Sequence, residues 1–276
     1  MIYFLSDAHL GSRAIPHGRT HERRLVRFLD DIKDRAEAIY LMGDMFDFWF
    51  EYSDVVPKGY TRFLGKISEL TDRGIEVHLF TGNHDMWVGD YLTAECGIQI
   101  HHDSCVVDIA DKTFFLSHGH LIDMRDKGFA TRLMFWCFRN KALQRLARMV
   151  HPHFFINFGL NWARHSHIHH HLKTQNPKPM THSPKTEPLQ LFAENYLQHH
   201  PDINYFIFGH RHINLDIPLL PPTSSLLPAT CGKAAPLPAS NTRLIILGEW
   251  YSMFTYAAFD GNELKISNYV EGEPTL

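Results

Sequence analysis

Residues 39–47 read IYLMGDMFD, a short apolar run followed at once by two carboxylates, Asp44 and Asp47. Four further segments repeat this arrangement: residues 2–9 (IYFLSDAH), 78–85 (HLFTGNHD), 114–120 (FFLSHGH) and 205–212 (YFIFGHRH). An apolar run of about four residues is typical of a strand that is buried on both faces. The repetition therefore predicts an α/β fold in which five strands each end in polar side chains.

The polar ends of these five strands predict a single metal site. Ligands of open α/β sheets bind beyond the carboxyl ends of the strands, so we expect the five ends to converge. Carboxylate, amide and imidazole groups suit divalent ions such as Mn²⁺, Fe²⁺ or Zn²⁺. None of the five segments contains cysteine, a usual ligand of structural zinc. The candidate residues are Asp7, His9, Asp44, Asp47, Asn83, His84, Asp85, His118, His120, His210 and His212.

Each of these residues also has an ordinary interpretation when it is taken alone. Asp7 fits the N-cap of a following helix, and His118 fits a core or surface histidine. The Gly43-Asp44 and Gly82-Asn83 pairs fit common turn chemistry after a strand. The order and joint occurrence of D-x-H, G-D-x-x-D, G-N-H-D, H-G-H and G-H-x-H favour the metal site instead.

This ordered set of motifs resembles that of the calcineurin-like metallophosphoesterases. The resemblance implies a four-layer αββα sandwich that hydrolyses phosphate esters or anhydrides with two divalent ions, Mn²⁺ first and Fe²⁺ or Zn²⁺ as alternatives. It also implies that one ion is held by Asp7, His9, Asp44 and His212, and the other by Asp44, Asn83, His118 and His210. His84 and Asp85 become the catalytic candidates, with Asp85 accepting a hydrogen bond from the His84 imidazole.

Length and composition indicate one enzyme domain over residues 1–276. The chain has 276 residues and 44% hydrophobic content, enough for a large core. A strand predicted from Ile2 leaves no room for a signal peptide, and no apolar run reaches the ~18 residues of a membrane span. The four cysteines (Cys96, Cys105, Cys137 and Cys231) lack paired spacing, which favours a reduced, cytoplasmic protein.

Residues 125–173 differ from the rest of the chain and predict a helical lid inserted within the domain. They contain nine Lys or Arg and one acid, a net charge of +8 in a chain of net charge −3. Leu143, Leu146, Ala147 and Val150 form an apolar helical stripe beside Lys141, Arg145 and Arg148. The stripe alone fits a core helix with a solvated basic face. The charge imbalance and many aromatic residues favour contact with an anionic lipid surface instead.

The rest of the sequence permits only a coarse prediction of secondary structure. It predicts helices at residues 21–36, 60–72 and 189–199, an exposed connection at 177–188 and a long loop at 218–240. Two strands near the end of the chain are expected to meet at an Asp260-Gly261 turn. The histidine run at residues 165–171 lacks nearby carboxylates and strand-end context, so we interpret it as solvated and only adventitiously metal-binding.

The insertion between the H-G-H and G-H-x-H motifs, and residues 247–261 (LGEWYSMFTYAAFDG), are similar to those of the UDP-2,3-diacylglucosamine diphosphatases of lipid A biosynthesis, particularly the Bacteroidetes type. The similarity implies a nucleotide-linked glycolipid substrate, cleaved to UMP and a diacylglucosamine 1-phosphate at the cytoplasmic face of the inner membrane. His84 departs from the proteobacterial members, which carry Arg there. Polar residues that interrupt the aromatic run are candidate substrate contacts: Arg139, Asn140, Asn161, Arg164 and Ser166.

Two other function classes compete with this interpretation. A phosphodiesterase or nuclease would use residues 125–173 to bind a nucleic-acid backbone. The apolar residues there occur in dense runs of Phe, Leu and Met and are not spaced singly between cations for base stacking, so no nucleic-acid partner is expected. A non-catalytic binding scaffold would not need the complete set of metal ligands. The oligomeric state stays open.

Overall fold

The computed structural model describes residues 1–16, 18–123, 128–175, 187–219 and 242–276. For residues 130 and 166–175 it describes the backbone only. The predicted connection at 177–188 and the predicted loop at 218–240 therefore lie largely outside the described residues.

The first sheet has six strands in the order β11-β10-β1-β2-β3-β4. Strands β1 to β4 run parallel, whereas β10 pairs antiparallel with both β1 and β11. The strands are β1 (Ile2–Leu5), β2 (Ala38–Leu41), β3 (Glu76–Phe80), β4 (Gln99–His101), β10 (Thr255–Phe259) and β11 (Leu264–Asn268). The predicted turn between β10 and β11 is confirmed, because Asp260 accepts hydrogen bonds from the backbone N–H groups of Asn262 and Glu263 at 2.9 and 2.8 Å.

The second sheet has five strands in the order β5-β6-β7-β9-β8. Its three central strands, β6, β7 and β9, are parallel, and the two edge strands are antiparallel. The strands are β5 (Cys105–Ile109), β6 (Lys112–Ser117), β7 (Tyr205–Phe208), β8 (Leu215–Pro218) and β9 (Arg243–Ile246). The five motif-bearing strands are thus divided between the sheets, with β1, β2 and β3 in one and β6 and β7 in the other.

Eight helices are present in the described ranges: α1 (Gly18–Ile32), α2 (Thr61–Asp72), α3 (Tyr91–Cys96), α4 (His120–Asp123), α5 (Phe129–Arg139), α6 (Lys141–Ala147), α7 (Pro152–Gln175) and α8 (Pro188–Leu197). The three predicted helices outside the insertion correspond to α1, α2 and α8. Helix α3 ends where Gly97 takes a left-handed φ of 68°, a common way to close a helix C-terminus. Helix α8 begins with proline in its first turn, where the missing N–H costs nothing.

Three apolar cores separate four layers. The first lies between the first sheet and helices α1, α2 and α3, and includes Phe28 and Phe63. The second lies between the sheets, where Phe4 stacks on Tyr40 at 5.1 Å and on Phe114 at 5.8 Å between ring centroids. The third lies under α8. The predicted four-layer αββα sandwich is confirmed, and it places the carboxyl ends of the parallel strands along one rim.

Candidate metal centre

Backbone hydrogen bonds join the loop after β1 to the loop after β2, and the loop after β6 to the loop after β7. The N–H of Asp7 donates to the carbonyl of Gly43, and the N–H of His9 donates to the carbonyl of Asp44, each at 3.0 Å. In the second sheet, the N–H of Gly209 donates to the carbonyl of His118 at 3.1 Å. Within each sheet, these bonds fix the predicted ligand residues relative to one another before any side chain is considered.

Five of the predicted ligands have a left-handed backbone, which is uncommon for residues other than glycine. Their φ angles are 56° for Asp7, 43° for His9, 51° for Asp44, 68° for His210 and 51° for His212. Such conformations cost on the order of 1 kcal/mol or more each, and they concentrate at functional sites because surrounding contacts hold them. The rim is therefore a strained arrangement that positions side chains at the expense of local stability.

The first group of potential ligands consists of Asp7, His9 and His212, each of which offers an atom within 4.8 Å of the other two. The Nε2 atom of His212 lies 3.1 Å from Oδ1 of Asp7 and 3.2 Å from Nε2 of His9. Asp7 and His9 are buried. Two imidazole nitrogens and a carboxylate oxygen that face one another in this way form a suitable donor set for a divalent ion.

The second group consists of Asp44, His118 and His210, again with atoms within 4.8 Å of one another. His118 donates from Nδ1 to the carbonyl of Met42 at 2.8 Å, which leaves Nε2 facing Oδ2 of Asp44 at 3.3 Å. The Oδ1 atom of Asn83 is buried and has no hydrogen-bond partner among the described residues. These oxygen and nitrogen donors also fit a divalent ion.

Asp44 connects the two groups. It forms a third potential ligand set with His9 and His84, and its Oδ1 atom accepts a 2.8 Å hydrogen bond from the backbone N–H of His84. The close approach explains the glycine of the G-N-H-D motif, because a Cβ atom on Gly82 would lie 2.1 Å from that same oxygen. Asp44 is 1% exposed and reaches residues of both groups, as a bridging ligand must.

Opposite charges are balanced within this buried rim. Burial opposes ionisation of Asp44, but the charges of His118 and His84 hold its pKa well below the usual range. Burial likewise opposes protonation of His9 and His118. Hydrogen bonds with Asp47 and Asp7 nevertheless raise the pKa of His9 to about 10, and Asp44 raises that of His118 to about 9. A divalent ion bound here would replace these protons as the positive charge.

The prediction that Asp85 accepts a hydrogen bond from the His84 imidazole is wrong. Asp85 is fully buried and accepts hydrogen bonds from the backbone N–H groups of Gly82 at 2.7 Å and Met45 at 2.8 Å, which joins the loops after β2 and β3. Burial and the nearby Asp44 raise the pKa of Asp85 to about 7. The His84 imidazole instead lies against Asp47, with Nδ1 2.9 Å from the backbone carbonyl of that residue.

Two side chains near the predicted ligands were not identified in the sequence analysis. The Oδ2 atom of Asp123 lies 3.4 Å from Nε2 of His210. The phenolic oxygen of Tyr251 lies 2.9 Å from Nδ1 of His212. Asp123 follows the H-G-H motif closely, so a search for carboxylates in that helix would have found it. Tyr251 is 39 residues from His212, and nothing local in the sequence relates the two.

The five predicted substrate contacts have different surroundings. Arg139 forms an ion pair with Asp103 at 3.0 Å, and Asp103 lines a small cavity together with His118 and His120. Asn140 caps α6, accepting hydrogen bonds from the N–H groups of Ala142 at 2.9 Å and Leu143 at 3.2 Å. Its side-chain oxygen therefore stabilises the helix start, and its role as a substrate contact stays a prediction.

The other three predicted contacts lie on α7. Asn161 accepts a 2.8 Å hydrogen bond from Arg13, which follows the Asp7–His9 motif and so connects this helix with the rim. Arg164 is exposed. The side chain of Ser166 lies outside the described residues, as do those of the histidine run beyond His165.

Helices α5, α6 and α7, called the insertion helices below, pack on the rim through aromatic contacts. Phe155 stacks on Trp87 at 5.4 Å and packs against Phe50 at 4.7 Å between ring centroids. The indole N–H of Trp87 donates to the carbonyl of Phe138 at 2.6 Å. These contacts link the loops after β2 and β3 with two of the insertion helices.

The apolar stripe of residues 143–150 is not part of a core. Leu143, Leu146 and Val150 are 41%, 60% and 44% exposed, and α6 ends at Ala147 instead of continuing through the stripe. The core-helix interpretation is therefore wrong. Further exposed apolar side chains of the insertion helices and their connections are Phe129, Leu133, Trp136, Met149, Phe154, Phe158 and Trp162.

Comparison with known proteins adds independent findings. The calcineurin-like phosphoesterase family model matches residues 1–214. A protein of Porphyromonas gingivalis named UDP-2,3-diacylglucosamine hydrolase is 38% identical, with 99% of this chain and 98% of that protein covered. Proteins of the same name from Nitrosococcus oceani and Aeromonas hydrophila are each 26% identical over 76% of this chain, covering 78% and 80% of their own lengths.

Proposed function

The chain belongs to the calcineurin-like phosphoesterase family, and we propose that it hydrolyses UDP-2,3-diacylglucosamine to UMP and 2,3-diacylglucosamine 1-phosphate. The observation that carries the reaction class is the set of three overlapping ligand groups at the rim, in which Asp44 belongs to two groups and shares one of them with His9. The substrate is suggested by the full-length similarity to the Porphyromonas gingivalis protein, which extends through the insertion helices.

The residues that would hold two ions are those that the family resemblance implies, and the two groups support this assignment. Asp7, His9, Asp44 and His212 would bind one, and Asp44, Asn83, His118 and His210 the other. We propose Mn²⁺ at both positions, since mixed oxygen and imidazole donors suit it; Fe²⁺ and Zn²⁺ are the alternatives. Two such ions would supply an activated water and would stabilise the charge that develops on the attacking and leaving oxygens.

The reaction is an attack of water on the α-phosphorus, after which the bond from that phosphorus to the bridging oxygen breaks. UMP gains the oxygen of the water, and the sugar phosphate leaves with the bridging oxygen. His84 lies beside Asp44, with its ring 4.8 Å from that of His9. We assign His84 the stabilisation of negative charge on the phosphate oxygens. Asp85 positions the loops that carry Asp44 and His84 through its buried backbone hydrogen bonds.

The insertion helices supply the substrate contacts in this proposal. Arg139 is held near the rim by its ion pair with Asp103. It would bind the anionic diphosphate. Asn161 and Arg164 on α7 are further candidates for the polar part of the substrate. The aromatic side chains that line α5 and α7 would contact the acyl chains.

We further propose that the protein acts peripherally at the cytoplasmic face of the inner membrane. Across the ranges that the structure describes, no helix combines the length and the apolar character needed to cross a bilayer. The support for peripheral binding is the exposed apolar surface of the insertion helices and their connections, where Phe129 and Met149 are each 81% exposed. Large exposed apolar side chains beside cations are typical of segments that bind anionic lipid surfaces.

The substrate proposal is tested by offering the purified protein and Mn²⁺ three compounds separately: UDP-2,3-diacylglucosamine, an aryl phosphodiester and single-stranded DNA. We expect release of UMP from the first at the highest kcat/KM, measured by chromatography of the nucleotide products. Faster cleavage of DNA or of the diester would favour the phosphodiesterase or nuclease alternative.

Neutralising two cations of α6 is expected to weaken binding to anionic vesicles. Lys141 and Arg145 are exposed, whereas Arg148 donates from Nε to the carbonyl of Glu51 at 3.1 Å and so also holds the insertion on the rim. Each basic residue near an anionic surface contributes about 1 kcal/mol. The Lys141→Gln/Arg145→Gln variant should therefore bind vesicles roughly 30-fold more weakly in co-sedimentation.

The matched control removes two cations from the opposite end of the sandwich, Arg73 after α2 and Lys112 at the start of β6. The Arg73→Gln/Lys112→Gln variant should bind vesicles like the wild type. Equal weakening in both double variants would mean that only net charge matters. No detectable vesicle binding by the wild type would contradict the membrane proposal itself.

A further inference from the structure

The loop of residues 249–254, which follows β9 and leads into β10, is held in shape by one buried carboxylate. Glu249 is 2% exposed. Its two oxygens accept hydrogen bonds from the backbone N–H groups of Tyr251 at 2.7 Å, Ser252 at 2.8 Å and Met253 at 3.0 Å. Because three consecutive N–H groups are fixed by one side chain, the loop has a defined conformation.

This loop is also attached directly to the metal-site rim. The N–H of Trp250 donates to the carbonyl of Asp7 at 3.1 Å, and the indole ring packs against Phe28 at 4.8 Å between centroids. Trp250 is 1% exposed. The neighbouring Tyr251 is therefore fixed in position relative to the Asp7, His9 and His212 group.

The two ring nitrogens of His212 face different partners. The phenolic oxygen of Tyr251 lies within hydrogen-bond distance of Nδ1, and Nε2 faces the Asp7–His9–His212 group. Nδ1 is 2.9 Å from the phenol, whereas Nε2 is 3.1 Å from Oδ1 of Asp7. A neutral imidazole carries its proton on one nitrogen only, and a metal can bind only through the other. The partner of the remote nitrogen thus decides whether Nε2 is available.

We propose that Tyr251 is a positioning residue for metal binding. Its phenolic oxygen accepts the Nδ1–H of His212 and so keeps Nε2 free of a proton and aimed at the Asp7–His9–His212 group. This inference rests on the proposed metal centre. It concerns a residue outside the region of residues 1–214 that matches the family model.

The test replaces Tyr251 with phenylalanine, which keeps the ring and removes only the oxygen. Loss of such a partner typically weakens metal binding by about 10–100-fold. We expect this loss at one of two Mn²⁺ sites, measured without substrate by titrating the full-length protein and following free Mn²⁺ by electron paramagnetic resonance. At saturating Mn²⁺, the KM for UDP-2,3-diacylglucosamine should be unchanged. The control is Tyr196→Phe, on α8 against Phe115, which should bind Mn²⁺ like the wild type.

A second measurement asks whether the effect passes through His212. In a His212→Gln background, Tyr251→Phe should cause no further loss of Mn²⁺ affinity, since the imidazole that it positions is gone. An additional loss of the same size would overturn the proposal, as would unchanged Mn²⁺ affinities or a change in KM alone. Because Mn²⁺ binding is measured without substrate, failure of the proposed hydrolase activity would leave this result interpretable.

Discussion

Replacing Asp44 with alanine is expected to lower the rate of UMP release by at least about 10³-fold, because the side chain belongs to two of the three potential ligand groups. The same change removes the acceptor of the His84 backbone N–H, so part of the loss could arise from a displaced loop. Asp44→Asn separates the two effects, since its amide oxygen can still accept that hydrogen bond while the negative charge is lost. Both variants should lose metal and activity together.

The measurement combines initial rates at saturating substrate and Mn²⁺ with metal analysis of the dialysed protein. Asp108→Ala is the matched control, because Asp108 lies on the edge strand β5 and forms a side-chain hydrogen bond only with Thr113 among the contacts described. Its activity and metal content should equal those of the wild type. An Asp44→Ala variant that keeps a tenth of the activity with ordinary metal content would contradict the shared-ligand assignment.

The convergence of the predicted ligands could be derived from sequence because it depends on a simple rule. Parallel strands place their carboxyl ends at one edge, so Asp7, Asp44 and Asn83 had to lie together once β1, β2 and β3 were recognised. The division of the motifs between two sheets followed only from the family resemblance. Nothing in the apolar runs of residues 2–5 and 114–117 states which strands pair.

Contacts between distant parts of the chain could not be predicted from the sequence by a comparable rule. Tyr251 reaches His212 because β9 and β10 belong to different sheets and the loop between them crosses the rim. The left-handed backbone of His210 and His212 is likewise set by tertiary contacts, since local preference disfavours it.

One omission and one error in the sequence analysis have local physical reasons. Asn140 directly precedes the helical sequence KALQRLA, and asparagine at that position is a strong N-cap signal that the aromatic context obscured. His84 and Asp85 are adjacent in sequence, and neighbouring side chains after a strand commonly point in different directions. Asp85 faces the backbone of the loop after β2, while His84 faces Asp47.

The exposure of the insertion helices contradicts the core-helix interpretation, while the lipid-surface interpretation drawn from charge stays a prediction. A periodic stripe at residues 143–150 predicts that one face is covered, but it does not say by what. Within the described residues, Leu143 and Leu146 remain exposed next to Lys141 and Arg145. An excess of cations beside an exposed apolar face is typical of segments that bind anionic lipid surfaces, which is the interpretation proposed above.

His84 can act in two ways, and the substrate distinguishes them. A general acid would donate a proton to the leaving oxygen, which an alkoxide needs and a sugar phosphate hardly needs. A charge stabiliser would interact with the phosphate oxygens whatever group leaves. The contact of Nδ1 with the Asp47 carbonyl, and the Asp47 carboxylate 3.9 Å away, hold the imidazole in a fixed orientation and fit the second role.

We therefore expect His84→Gln to lower kcat/KM by about 10²-fold for UDP-2,3-diacylglucosamine and by a similar factor for the methyl ester of UMP, since both lose the same stabilising group. His84→Arg, which restores a fixed positive charge, should return diphosphate hydrolysis to within about tenfold of the wild type. Metal content and circular dichroism confirm that each variant is loaded and folded. A general acid predicts a different result: the methyl ester would lose roughly 10²–10⁴-fold and the diphosphate far less. An arginine variant as inactive towards the diphosphate as the glutamine variant would also contradict charge stabilisation, because charge at that position would then not be what the reaction requires.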